Sequence, residues 1–189
     1  FSQSIFENEK DDKTSSRNKI SFEDADIVFV ADFFTDEYGG GAELSTQALY
    51  ETSPYKSYLL KSSEVSSERI TSGANKIWVF FNFTQLNFQL LPLIVSNLYY
   101  FVVEYDYKFC KYRSIELHKQ NTGEDCNCHQ HQSGKMVSAF MMGASHLFWM
   151  SEKQKNLYQE RFKFLSDEKC TVLSSIFSVS DLEKIEKLR

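Results

Sequence analysis

The 189-residue sequence lacks both long apolar runs and an excess of positive charge. Its longest unbroken apolar runs, Ile77 to Phe81 and Leu90 to Val95, are far shorter than the about 18 residues that suggest a transmembrane helix. Lys and Arg number 21 against 26 Asp and Glu, so little positive charge is left to neutralise a phosphate backbone. We therefore predict no membrane span, and the charge balance disfavours nucleic acid as the main ligand.

Proline and cysteine are also scarce. With only two Pro, the chain favours long regular elements, and its 17 Phe and 10 Tyr supply an aromatic core. Four Cys are too few for a small secreted domain held by disulfides, and Phe1 to Lys19 lacks the apolar stretch of a signal peptide. We therefore expect a cytoplasmic protein whose thiols are free or bound to metal.

The two ends of the sequence differ from its middle. Residues 1–19 mix Ser, Asn, Asp, Glu and Lys, a composition that cannot offset its ordering entropy, so we predict a disordered leader or linker there. Residues 20–189 form the predicted domain. Its last stretch, Asp181 to Arg189, has a helical pattern with no stop signal, which suggests a fragment of a longer protein.

From Ile20 onward, short β-branched and aromatic runs alternate with helix-like stretches. This alternation predicts βαβ units in a three-layer α/β/α sandwich with a mostly parallel, Rossmann-like sheet. The predicted strands are Asp26 to Asp32, Tyr58 to Lys61, Lys76 to Phe81, Tyr99 to Glu104, His146 to Met150 and Cys170 to Leu173. The predicted helices are Ala42 to Thr52, Leu86 to Asn97 with a kink at Pro92, Lys135 to Gly143 and Ser151 to Phe162. Residues 62–72 are predicted as a polar helix or loop.

A glycine-rich turn, Asp36-Glu-Tyr-Gly-Gly-Gly-Ala-Glu43, joins the first strand to the first helix. Backbone N–H groups of Gly39, Gly40 and Gly41 could approach an anion such as a diphosphate at the positive end of the helix. The alternative is a flexible turn that only packs the helix on the strand. Ligands of open α/β sheets bind at such strand ends, which favours a binding role. The spacing is not G-x-G-x-x-G, which disfavours a dinucleotide-dependent oxidoreductase.

Three acidic residues lie at or just after the ends of predicted strands: Asp32, Glu104 and Asp106. Because the carboxyl ends of parallel strands face one crevice, we expect these carboxylates to gather there and to raise one another's pKa. Ordinary capping of strand ends is the alternative. No Asp-x-Asp pair stands at a strand end, so we expect no catalytic metal.

A polar insertion, Tyr105 to Gly134, contains three of the four Cys and three of the four His. Thiolates and imidazoles together suit a tetrahedral zinc ion. We predict a structural zinc site formed by Cys110, Cys126 and Cys128, with His131 or alternatively His118 as the fourth ligand. A one-residue gap between Cys126 and Cys128 is unusual for such a site, so an oxidised pair and a reduced loop remain alternatives.

Two segments resemble family-four glycosyltransferases. Phe33 to Glu43 is similar to the Gly-Gly-Ala-Glu signature at the first helix of that family, and Tyr105-Asp-Tyr-Lys-Phe-Cys110 is similar to a later His-Asp-Tyr and Cys-Pro-Arg region. The resemblance implies the amino-terminal half of a GT-B enzyme that transfers a sugar from a nucleotide-sugar donor to a glycan or other acceptor. A carboxyl-terminal Rossmann domain, which is missing here, would hold most of the donor.

The resemblance also implies roles for individual residues. Gly39, Gly40, Gly41, Glu43 and Asp32 would lie near the donor phosphates or the acceptor. Asp106 and Tyr105 would face the acceptor as the catalytic pair. Tyr105 stands where the family has His, and a Tyr with a pKa of about 10 is a poor general base at neutral pH. The alternative function is therefore a non-catalytic Rossmann-like module that binds a glycan or a protein.

Overall fold

A computed structural model describes residues 17–187, without the side chain of residue 184. Residues 1–16 of the predicted leader lie outside the described residues. The side chain of Arg17 pairs with Asp36, and that of Asn18 exchanges two hydrogen bonds with the backbone of Leu59, at 2.7 and 3.0 Å. These contacts attach residues 17 and 18 to the domain.

Six parallel strands form one sheet, in the order β2-β1-β3-β4-β5-β6. The strands are β1 (Ile27–Ala31), β2 (Ser57–Lys61), β3 (Ile77–Phe80), β4 (Tyr99–Glu104), β5 (His146–Trp149) and β6 (Cys170–Val172). Each lies within or around a run predicted as a strand, and every pairing is parallel. All five residues of β1 are buried, because both faces of a parallel sheet are covered by other elements. The predicted α/β architecture is confirmed.

Helices connect the strands. They are α1 (Gly41–Thr52), α2 (Ser67–Ser72), α3 (Leu91–Asn97), α4 (Ile115–Thr122), α5 (Gln132–Gly143), α6 (Glu152–Arg161) and α7 (Val179–Glu186). The prediction for Leu86 to Asn97 is wrong in its first part: Phe88–Leu90 form a 3₁₀ turn, and the helix begins at Leu91. Pro92 lies in the first turn, where its missing N–H breaks no helical hydrogen bond, so it starts the helix instead of kinking it.

The sheet separates two apolar cores, which gives three layers. The larger core contains buried side chains of α2, α3, α5 and α6, and the smaller one includes residues of α1. Fully buried aromatic residues such as Trp78, Tyr100 and Phe140 dominate the larger core. Within residues 17–187, no helix combines the length and the apolar character that crossing a bilayer requires.

The strand order places a switch point between β1 and β3. The chain leaves β1 toward β2 on one side and later continues from β3 toward β4 on the other side. Loops at the carboxyl ends of two such strands diverge and leave a crevice between them. This crevice positions the candidate site.

Candidate functional site

A cleft of about 700 Å³ opens at the carboxyl ends of β1 and β3. The end of β1, the glycine-rich turn and the first turn of α1 form one wall, and the segment after β3 with Arg113 forms the other. Residues predicted from the sequence as site residues that line it are Asp32, Gly40, Gly41 and Glu43. Gly39 is not among the lining residues. The topology thus brings most of the glycine-rich turn to a ligand-sized crevice.

Gly40 precedes α1, and a larger residue there would require neighbouring side chains to move. A Cβ there would collide with Oε2 of Glu43 and with the ring of Tyr38. A Cβ at Gly39 or Gly41 would meet nothing within 4 Å. The three glycines therefore differ: one allows Glu43 to fold back over the helix N-terminus, and the other two border open space.

Glu43 lies in the first turn of α1 and is 7% exposed. Its carboxylate lines the cleft, and within residues 17–187 it accepts no hydrogen bond and forms no ion pair. The negative charge interacts favourably with the positive end of the helix dipole. The anion that the turn was predicted to attract is thus partly replaced by a carboxylate of the chain itself.

Asp32, at the end of β1, is buried and saturated with hydrogen bonds. Its carboxylate accepts hydrogen bonds from the hydroxyl groups of Ser62 and Thr84 and from the backbone N–H groups of Thr84 and Gln85. Burial acts to raise the pKa of Asp32, but these four donors outweigh it and hold the pKa below its ordinary value. The expectation that neighbouring carboxylates raise the pKa of Asp32 is therefore wrong, and this residue ties three segments together.

Tyr105 is partly buried beneath α1, and its hydroxyl group is fully buried. Burial raises the pKa of its phenol to about 12, although the hydroxyl groups of Thr46 and Ser45 act to lower it. Its ring stacks on Phe81 with the ring centroids 6.3 Å apart. Tyr105 is absent from the lining of the cleft. Such a phenol does not give up its proton at neutral pH.

Asp106 reaches the cleft only through Arg113. Its carboxylate forms an ion pair with Arg113, and its Oδ1 lies 3.5 Å from Nζ of Lys108. Arg113 lines the cleft and donates a hydrogen bond of 3.0 Å to Oδ1 of Asn82. Asp106 therefore holds the guanidinium group in place from behind.

Glu104 and Lys108 form a buried ion pair below this group. Nζ of Lys108 lies 3.2 Å from Oε1 of Glu104, and both side chains are almost completely buried. Burial raises the pKa of Glu104 to about 7, while the charge of Lys108 acts to lower it and that of Asp106 to raise it. Of the three carboxylates expected to gather at one crevice, Glu104 and Asp106 meet around Lys108, and the pKa of Glu104 is raised mainly by burial and only secondarily by the charge of Asp106.

Arg113, Asn82 and Thr84 line the cleft but were not identified from the sequence as site residues. Arg113 has a backbone φ of 56°, in the left-handed region that non-glycine residues seldom occupy. Arg113 lies three positions after the segment Tyr105 to Cys110 that resembles the glycosyltransferase family. Residues in sparsely populated backbone conformations often lie at functional sites.

Behind the cleft, Cys110, His118, Cys126 and Cys128 lie close together and are all buried. Their ligand atoms are within 4.8 Å of one another, and Nδ1 of His118 is 3.6 Å from Sγ of Cys110 and 3.5 Å from Sγ of Cys128. A tetrahedral zinc ion with Zn–S of about 2.3 Å and Zn–N of about 2.0 Å separates sulfur and nitrogen by about 3.5 Å. The four side chains could hold a metal ion.

The fourth member of the cluster is His118, so the choice of His131 is wrong. His131 is exposed and precedes α5, while His118 lies in the first turn of α4, which folds back over the cysteines. All four cysteines lie within residues 17–187 and are free thiols. Burial and the neighbouring thiols raise the pKa of Cys126 to about 11, although the backbone N–H of Cys128 acts to lower it.

Comparison with known proteins does not identify a family for this chain. No protein-family model matches the chain, and no curated protein matches it.

Proposed function

We propose that the chain is the amino-terminal domain of a glycosyltransferase that uses a nucleotide-sugar donor. The observation that carries the proposal is the position of Gly40, Gly41 and Glu43, the core of the glycosyltransferase-like segment, on the wall of a cleft at the switch point of a parallel sheet. Fold alone does not define activity, so the proposal rests on this site and on the resemblance of the two segments.

In this proposal the acceptor binds in the cleft, and a carboxyl-terminal Rossmann-like domain supplies most contacts to the donor. Arg113, held by Asp106 and Asn82, would orient an acceptor hydroxyl group through its guanidinium. Asp106 then acts as a positioning residue. The burial of Tyr105 argues against a proton-transfer role for it.

The test is a transfer assay on the native polypeptide at its natural length. Labelled nucleotide sugars are incubated with a panel of saccharide acceptors, and the product is separated from the donor. We expect transfer with at least one pair and at least a tenfold lower rate for Asp106→Asn. The matched control, Asp125→Asn, removes an exposed carboxylate that pairs with Lys119 and does not line the cleft. Unchanged rates in Asp106→Asn would remove the proposed role of this residue.

A non-catalytic glycan-binding module is the second candidate. The observation that favours it is that neither predicted catalytic residue presents a free proton acceptor to the cleft, since Tyr105 is buried and Asp106 is paired with Arg113. Saccharide binding without transfer from any nucleotide sugar would support this function over the first.

We also infer that Cys110, His118, Cys126 and Cys128 hold a structural zinc ion in a reducing, cytoplasmic environment. Three thiols and one imidazole are the typical ligands of closed zinc sites, and the separations given above fit a tetrahedron. The test is the metal content of the purified protein by atomic emission. One zinc per chain is expected, and Cys128→Ser should lose most of it, while Cys170→Ser should keep it.

A further inference from the structure

We propose that the cleft selects saccharides that carry no anionic group, and that Glu43 is the residue that determines this selectivity. The proposal deepens the function above and rests on its saccharide ligand, whether the domain transfers sugars or only binds them. It concerns the sign of the charge that the ligand brings to the cleft.

The first observation is the state of the Glu43 carboxylate. Glu43 is only 7% exposed and lines the cleft. Within residues 17–187, its carboxylate accepts no hydrogen bond and pairs with no cation. A ligand that displaces solvent from this carboxylate must replace the lost hydrogen bonds with donors of its own. Hydroxyl or ammonium groups of a ligand are such donors, whereas a phosphate, sulfate or carboxylate is not.

The second observation is that the positive charge at the cleft is already paired, while negative charge is left over. Glu37 pairs with Lys61 and with Arg17, whose Nη2 lies 3.4 Å from Oε2. Asp32 is saturated by its four donors, and Arg113 is paired with Asp106. The donors to Asp32 are neutral, so within residues 17–187 both Asp32 and Glu43 carry negative charge that no ion pair balances, and an anionic ligand would be repelled by it.

The third observation is the pair of exposed aromatic rings on the same wall. Tyr38 is 63% exposed and Phe33 is 43% exposed, and both line the cleft. Flat apolar rings suit the C–H face of a sugar, and their negative faces also attract an ammonium group. Together with Glu43 they form a site for hydroxyl-rich ligands that are neutral or bear an amine.

The experiment is a glycan array probed with the native polypeptide, carrying neutral, amine-bearing, sulfated, phosphorylated and uronic-acid saccharides. We expect the bound saccharides to be neutral or amine-bearing. The best ligand is then titrated by calorimetry beside its O-sulfated form, which should bind at least tenfold more weakly.

One variant of Glu43 and two comparison variants test its role. Glu43→Gln keeps the shape of the side chain and should bring the affinities for the two forms within about threefold, while Glu51→Gln, an exposed position on the same helix, should keep the difference. Tyr38→Ala, on the exposed rim, should weaken the binding of the saccharide and of its O-sulfated form by the same factor. It is the variant to measure if circular dichroism shows that Glu43→Gln does not fold.

Preferential binding of anionic saccharides, an unchanged ratio in folded Glu43→Gln, or no binding to any saccharide would overturn the proposal. The transfer assay separates this result from the proposed function. Transfer to an anionic acceptor would overturn only the selectivity, and selective binding without transfer would overturn only the glycosyltransferase.

Discussion

The carboxylate of Glu43 occupies the space that a side chain at Gly40 would need. One interaction thus links the glycine-rich turn, the start of α1 and the wall of the cleft. It also explains why three successive glycines are not equivalent.

We expect Gly40→Ala to destabilise the domain by about 1 kcal/mol, because the carboxylate of Glu43 and the ring of Tyr38 must move aside for the new methyl group. Gly39→Ala, which points into open space, should change the free energy of unfolding by less than about 0.5 kcal/mol. Urea unfolding of both variants measures the difference. If both variants lose the same free energy of unfolding, the close approach of Glu43 to Gly40 does not affect stability.

Asp32 should make stability depend on acidic pH. Because its pKa is lowered in the folded state, its ionised form stabilises the fold above its unfolded pKa of about 3.9, and this contribution is lost as the pH falls through the folded value. Asp32→Asn should therefore cost about 2–4 kcal/mol at pH 7, since an amide cannot accept all four hydrogen bonds, and clearly less near pH 3.

Urea unfolding at the two pH values checks this, with Asp125→Asn as an exposed control whose effect should stay within about 0.5 kcal/mol. A loss in Asp32→Asn that is the same at both pH values contradicts the role assigned to the ionised carboxylate.

The fold was largely predictable because its signals are local. Continuous apolar runs such as Ile27–Ala31 mark strands covered on both faces, and the glycine-rich turn marks the first connection. The helix predicted over Leu86 to Asn97 was too long, because the apolar composition of this run does not distinguish a 3₁₀ turn from an α-helix. Pro92 has opposite effects at the start and in the interior of a helix, and only the tertiary structure decides which applies.

The site was predictable only in part, because its second wall is assembled from distant segments. Asn82 and Arg113 meet across the cleft although 31 positions separate them, and no local pattern indicates that contact. The metal cluster shows the same limit. The sequence left His131 and His118 as alternative ligands. In the structure, α4 carries His118 back onto the cysteines, and His131 lies at the surface.

The buried pair of Glu104 and Lys108 predicts a second pH dependence. Lys108→Met leaves the Glu104 carboxylate without its cation, which should cost about 3–5 kcal/mol at pH 8. Burial already raises the pKa of Glu104 to about 7, and loss of Lys108 raises it further, so at pH 5 the side chain is protonated and the cost should be smaller. Unfolding by urea at pH 5 and pH 8 measures both values, and the double variant Glu104→Leu with Lys108→Met should recover much of the loss at pH 8. A loss that grows at pH 5 would contradict this assignment.

Removing the metal should affect both stability and the cleft, because one turn connects the two. The backbone N–H of Arg113 donates a hydrogen bond of 2.9 Å to the carbonyl of Cys110, so the proposed ligand Cys110 and the cleft residue Arg113 belong to the same loop. We expect His118→Ala to lose zinc, to lower the free energy of unfolding by more than about 2 kcal/mol and to weaken saccharide binding. His131→Ala, which alters an exposed imidazole outside the cluster, should retain the metal, the stability and the binding. Metal content, thermal unfolding and calorimetry on the same preparations give the three readouts. If His131→Ala loses the zinc and His118→Ala keeps it, the ligand set proposed for this cluster is wrong.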